Sequence, residues 1–355
     1  MNAGSVRGAV AVAASLCALA GISACDVQSD SSTAKSGASA SAAAAKDLKV
    51  GWSTIYLTPS WMQQTLKMME GDVTKLKSAG KVSSFKTLNA NGDTSQQIAQ
   101  IRAMIQQKYD VIIVDAGSST ALNPALEQAV AAGITVVAFD SLPTSTKVIR
   151  VGTDQKAWGS MMGTWLADKL KGKGSIIAMN GPAGVSVSED RWAGAAAVFK
   201  KYPNIKIVSN VHSEYNLAPA AQAFASAYSA HPDIDGVFSQ GGALSAAALQ
   251  TLVKQDKKLV PITGENYNGF LKMWRSHQKD GFSSLATAQP NYLAVIALEA
   301  AVAKREGVSV PQDITVPLPE ITDKNLADYV KPDQPDDSYP ITDLPQAEID
   351  KLIGK

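Results

Sequence analysis

Cysteine and histidine, the usual nucleophiles, bases and metal ligands, are scarce in this 355-residue chain. The three histidines, His212, His231 and His277, are widely spaced, with no H-E-x-x-H or triad-like context. They read as loop or surface residues. Neither a G-x-x-x-x-G-K-[ST] phosphate loop nor a G-x-S-x-G nucleophile elbow occurs, and Gly181-Pro182-Ala183-Gly184 reads as a turn. Asp333, Asp336 and Asp337 lack EF-hand spacing. Among the carboxylates, Asp140 and Glu265 are the one pair that folding could place for glycoside hydrolysis. Nothing here demands a metal or cofactor, and no enzyme is expected.

Both cysteines, Cys17 and Cys25, fall in the first 25 residues, which excludes a disulfide scaffold and a cysteine-based metal cage. Arg7 precedes an uncharged, mostly apolar run from Gly8 to Ile22, long enough for a signal h-region and too short for a membrane span. Ile22-Ser23-Ala24-Cys25 follows. Small residues suit a peptidase cleft, and the thiolate of Cys25 suits a lipid acceptor. This resembles the bacterial lipobox, implying a signal peptide at 1–24, diacylation of Cys25 and anchoring on the outer face of the cytoplasmic membrane. Residues 26–46 are rich in Ser and Ala, with nothing bulky and apolar beyond Val27, and read as a flexible tether. In residues 25–355, 32 basic residues face 32 acidic ones, and no thiol but that of Cys25 remains. A neutral chain of this kind does not fit a nucleic-acid partner.

From Leu48 onward, apolar strand-like runs alternate with amphipathic helical stretches, which predicts parallel sheets covered on both faces. Thr58 and Pro59 are expected to cap a helix whose core stripe is Met62, Leu66, Met69, Val73 and Leu76. Ser186-x-x-Glu189 reads as a capping box for a helix carrying Arg191. The stretch Asp110–Asp140 can be laid on Asp235–Asn266, each an apolar strand, a small-residue turn, a helix and a second strand ending in a polar residue. Two similar α/β lobes follow, with ligands expected beyond the carboxyl ends of their strands.

The segments GPAGVSVSEDRWAG (181–194), HPDIDGVF (231–238), TAQPNY (287–292) and NGDTSQQIAQIRAMIQQKYDVIIVDAGSSTAL (91–122) resemble the type I periplasmic-binding-protein family. The likeness is nearest to the ribose-like sugar-binding proteins of ABC importers and runs from about Leu48 to about Thr322. It implies two doubly wound α/β lobes joined by three crossovers, closing on a sugar. By that template, one lobe is 47–152 plus 290–312, and the other is 153–289 plus 313–355. The resemblance also implies ligand contacts. Ser60 and Trp61 occupy the loop after the first strand, where an indole would stack on a sugar face. Asp140 would accept from hydroxyls, but Ser141 stands where the family has Arg. Arg191 begins an intact R-x-x-G, Tyr215 is a second stacking candidate, and Gln289 matches the family's Gln at the third crossover. Asn266 replaces a usual Asp, and Gly241-Gly242 replaces a usual Asn-Asp, which leaves a roomier pocket or one using backbone amides.

These features imply a membrane-tethered, monomeric receptor that delivers a sugar or polyol to an ABC permease and its ATPase. A ligand-sensing module of the same fold and a nucleoside-type ligand are alternatives. An anchored glycosidase fits least. A DNA-binding regulator is disfavoured, because an export signal stands where its helix-turn-helix would be.

Overall fold

The protein is described by a computed structural model covering residues 47–340 and 344–355. The signal, Cys25 and the tether lie outside the described residues.

The chain runs through β1 (Leu48–Thr54), α1 (Ser60–Ser78), β2 (Val82–Asn89), α2 (Thr94–Gln106), β3 (Val111–Asp115), α3 (Asn123–Ala131), β4 (Thr135–Phe139) and β5 (Ile149–Gly152). It continues through α4 (Gln155–Lys169), β6 (Lys173–Asn180), α5 (Ser186–Phe199), β7 (Asn204–His212), α6 (Leu217–Ala230), β8 (Gly236–Ser239), α7 (Gly242–Lys254), β9 (Ile262–Glu265), α8 (Asn268–His277) and β10 (Ser284–Thr287). The last elements are α9 (Leu293–Arg305), β11 (Asp313–Thr315), β12 (Ile321–Thr322), α10 (Leu326–Tyr329) and α11 (Gln346–Ile353).

Two sheets result, ordered β11-β5-β4-β3-β1-β2 and β12-β10-β9-β8-β6-β7. Every pairing is parallel except β10 with β12. The two orders superpose strand for strand, so β3-α3-β4 and β8-α7-β9 occupy the same place in each lobe. That is the internal likeness between 110–140 and 235–266. Central strands such as β3 and β4 are almost wholly buried, and apolar but for Asp115 and Thr135 at their ends, because helices cover both their faces. Edge strand β7 instead mixes buried and exposed positions.

The chain crosses between sheets after β5, after β10 and after β11, giving three crossovers. The lobe boundaries need correction at two places. The family template places 313–315 in the second lobe, but β11 pairs with β5 in the first sheet. Helix α11 likewise packs on α9, which lies against β3, β4 and β5. The cause is α9 itself, whose Leu293, Ile296, Leu298 and Val302 are all fully buried. A helix apolar on nearly all sides needs a cover, and Ile349 and Ile353 of α11 supply it, at ~1.5–3 kcal/mol for each buried side chain.

Two helix starts also differ from expectation. Helix α1 begins at Ser60 with Pro59 as its cap residue and no side-chain cap from Thr58. Helix α5 begins at Ser186 without a capping box, because the Ser186 hydroxyl lies 2.9 Å from that of Ser141 in the other lobe. Glu189 accepts instead from the Gly184 amide, at 2.9 Å.

Asp72, on the buried face of α1, has one carboxylate oxygen without a partner. Burial, then repulsion from Glu299, raises its pKa to about 6, with Lys75 pulling the other way. A folded pKa above the unfolded one gives stability that is present at low pH and lost as pH rises through about 6. Asp72→Asn is therefore expected to raise stability at pH 7.5 by ~2 kcal/mol, with the advantage shrinking toward pH 4. Calorimetric melting at both pH values tests this, and an equal effect at both would contradict it.

Candidate ligand-binding site

The carboxyl ends of both sheets face one cleft, the position at which open parallel sheets present ligand groups. Its lining includes Tyr56, Trp61, Asp115, Asp140 and Ser141 from the first lobe, and Val187, Arg191, Tyr215 and Glu265 from the second. Gln289 of the third crossover and Tyr339 of the C-terminal segment complete it.

Arg191 is positioned by helix packing. Helices α4 and α5 touch backbone to backbone, and a Cβ on Gly159 would stand 1.8 Å from the Arg191 carbonyl oxygen. One on Gly194 would stand 2.1 Å from the Lys156 carbonyl oxygen. The glycine of R-x-x-G thus lets the helices approach until the guanidinium lies 4.5 Å over the Trp158 ring. Arg191 Nε donates to Gln155 Oε1 at 2.7 Å and Nη1 to the Gln240 carbonyl at 2.6 Å. Its Nη2 stands 3.9 Å from Glu265 Oε1.

Gln289 joins the lobes. Its side-chain amide donates to Asp140 Oδ1 at 2.5 Å, while its Oε1 accepts from Thr153 at 2.6 Å and Gln155 at 3.1 Å. Its backbone N–H donates to Glu265 Oε1 at 3.3 Å, and its carbonyl accepts from the Trp61 indole at 2.7 Å. The indole of Trp61 is consequently both buried and part of the cleft wall.

Three carboxylates face one guanidinium among these lining residues. Asp140 sits in the left-handed backbone region at φ 59°, a conformation Asp tolerates. Burial raises its pKa, with Gln289 and then Arg191 opposing. Asp115 is pushed well above the carboxylate range, first by burial and then by Asp140. One of its oxygens takes a hydrogen bond from Thr54 at 3.1 Å, and the other has none. Glu265 is also raised, chiefly by burial, with Arg191 the main opposing influence. Its Oε2 accepts from the Gly242 amide at 2.9 Å, at the start of α7.

Six of the seven expected ligand residues border the cleft region, though not all in one place. Trp61, Asp140, Arg191, Tyr215 and Gln289 line the same pocket. Ser60 lines the adjoining groove with Lys67, Tyr267 and Ser338. Asn266 lies outside both linings, fully buried, with neither side-chain amide atom hydrogen-bonded. The acidic residue at this strand end is the preceding Glu265, since adjacent strand residues point to opposite faces. The glycines at 241 and 242 do not enlarge the pocket. A Cβ on Gly241 would stand 2.8 Å from the Tyr215 ring, and one on Gly242 would stand 2.3 Å from Tyr267 Cβ. Aromatic rings fill the room, and the Gly242 amide serves Glu265.

Asp115, Gln155, Gln240 and Tyr339 were not foreseen. Asp115 ends β3 just as Asp140 follows β4, so its strand-end position was a usable signal. Gln155 and Gln240 act through Arg191 and carry no motif.

A sequence profile of the periplasmic binding protein domain matches residues 50–307. The chain belongs to this family. Periplasmic binding proteins are extracytoplasmic, non-enzymatic solute-binding components of ABC transporters, so the glycosidase alternative for Asp140 and Glu265 falls away. The xylitol-binding protein of Mycolicibacterium smegmatis is 31% identical over 241 residues, 67% of this chain and 68% of that protein. The ribose import binding protein of Bacillus subtilis is 27% identical over 239 residues, 67% of this chain and 76% of its own. An ABC transporter solute binding protein from Thermobispora bispora matches with TM-score 0.78 at 23% identity, over 86% of this chain and 94% of that one. Another, from Mycobacterium smegmatis with bound glycerol, matches with TM-score 0.72 at 25% identity, over 84% and 100%.

In this periplasmic binding protein, Tyr215 is seated by a missing side chain. A Cβ on Gly181 would come within 2.2 Å of its phenol, whose hydroxyl donates to Gln240 Oε1 at 3.1 Å. Gly181→Ala is expected to cost ~1–3 kcal/mol in thermal stability, but under ~0.5 kcal/mol when Tyr215→Ala is already present. Equal costs in both backgrounds would mean that the ring is not what Gly181 accommodates.

Proposed function

We propose that this chain is a lipid-anchored receptor that captures one polyol or monosaccharide between its lobes and presents the closed form to an ABC permease. The observation that carries the reading is the convergence of Asp115, Asp140 and Trp61 from one lobe with Arg191, Tyr215 and Glu265 from the other, around Gln289. Carboxylates accept from hydroxyls, the guanidinium donates to oxygens, and aromatic rings cover C–H faces. A ligand touching both lobes binds the closed form better than the open one and shifts the population accordingly. The relatives named for xylitol and ribose support a small polyhydroxylated ligand.

The missing donor fork at Ser141 weighs against the ribose mode of binding. Ser141 instead donates to the Ala116 carbonyl at 2.7 Å and meets Ser186. The acceptor-rich wall favours a ligand with many hydroxyl donors, an open-chain polyol over a ring with one oxygen lacking a proton. The lipobox-like stretch ending at Cys25 supports the anchor, and no described helix is long and apolar enough to cross a membrane.

Titration of the chain with xylitol, other pentitols, D-ribose and glycerol, followed by tryptophan fluorescence and calorimetry, is expected to show binding that is tightest for a pentitol. Asp140→Asn is expected to weaken it at least tenfold, the loss of a charge-assisted bond worth ~1.5–3 kcal/mol. No response to any of these compounds would overturn the receptor reading. Cys25→Ser is expected to release the chain from membranes, and retention would overturn the anchor alone.

A further inference from the structure

Residues 331–339 lie beyond the segment matched by the family profile, and they run between the lobes. The second lobe holds them firmly. The Asn268 side-chain amide donates to the carbonyls of Lys331, Gln334 and Pro335 at 2.8, 3.0 and 3.1 Å, and its oxygen accepts from the Lys331 amide at 3.1 Å. Backbone amides of Asn268 and Gly269 donate to the carbonyls of Ser338 and Asp336, and Lys272 reaches the Gln334 carbonyl and the Asp336 carboxylate. Even Gly269 fits this contact, since a Cβ there would stand 3.1 Å from the Asp336 carbonyl oxygen.

The first lobe holds the strap only at Tyr339, through Gln64 on its backbone and Ser60 at its hydroxyl, before the chain goes on to α11, which packs on α9 of that lobe. Gln64 of α1 donates to the Tyr339 carbonyl at 2.8 Å and accepts from its amide at 3.0 Å. The Tyr339 ring is 2% exposed, packs edge-on against Tyr267 at 5.5 Å, and lines the pocket with Trp61, Tyr215 and Glu265.

From this asymmetry we infer that Tyr339 is a ligand-contacting, specificity-determining residue, carried by a strap that moves with the second lobe and docks on Gln64 only when the cleft is closed. The inference rests on the polyol-receptor reading. When the lobes part, the bonds of Tyr339 to Gln64 and Ser60 break while the many bonds to α8 persist. The pocket therefore gains its last wall only on closure. The phenol offers a hydroxyl to one end of the ligand, and the ring blocks extension past it. A single polyol or monosaccharide fits, and a longer glycan does not.

The test uses the full chain in detergent with xylitol and maltose as probes, and small-angle scattering without ligand. Tyr339→Ala is expected to weaken xylitol ~10-fold and to admit maltose, and Tyr339→Phe to weaken xylitol ~5-fold without admitting maltose. Gln64→Ala, which keeps the tyrosine, is expected to enlarge the radius of gyration of the ligand-free protein and to weaken xylitol ~5-fold. Unchanged affinities together with continued exclusion of maltose in Tyr339→Ala would overturn the specificity role. If the wild-type chain binds neither probe, the polyol reading fails on its own. Scattering then decides the strap, and a radius unchanged by Gln64→Ala overturns it.

Discussion

The cleft depends on one side chain that both lobes share. Gln289 sits where the chain returns from the second sheet to the first, and it spends every polar atom on a different element. Asp140 and Trp61 lie on one side of it, Glu265 on the other, with Thr153 and Gln155 of the first crossover between. Gln155 in turn holds Arg191. Removing one member of such a buried network leaves its partners unsatisfied, at ~1–3 kcal/mol each. The hinge and the binding wall are thus one hydrogen-bonded unit, so an event at the wall is felt at the hinge.

Charge explains why this unit calls for a ligand. Arg191 faces Glu265, while Asp115 and Asp140 have hydroxyl and amide donors but no cation of their own in the lining. Burial raises the pKa values of both carboxyls, and repulsion from Asp140 adds to the rise of Asp115. A molecule with several hydroxyls would supply the donors these oxygens lack. Direct contacts such as Ser141 with Ser186 already lean the lobes together, so the ligand needs to contribute only the remaining differential affinity.

The two-lobe fold was legible in the sequence, because alternating apolar strands and amphipathic helices admit few arrangements, whereas Trp61, Asp140, Arg191, Tyr215 and Gln289 came from the family resemblance and meet in the pocket. What escaped has physical causes. Matching the family's Asp to Asn266 left Glu265 out of the expected contacts by a one-residue shift, and in a strand that moves a side chain to the opposite face. The Ser186 capping box failed because a partner distant in sequence competed for its hydroxyl. Gly241 and Gly242 looked like space, but aromatic rings from 215 and 267 occupy it. The C-terminal segment has no periodicity to read. Its placement follows from the needs of α9 and α8, which only the folded chain displays.

The most direct measurement is a crystal structure of the chain purified without refolding from cells grown on mixed polyols and sugars. Density for one polyhydroxylated molecule is expected between Trp61 and Tyr215, with hydroxyls on Asp115, Asp140 and Glu265 and an oxygen on Arg191. A ligand seated outside that cleft, or one lacking hydroxyl donors to these carboxylates, would contradict it.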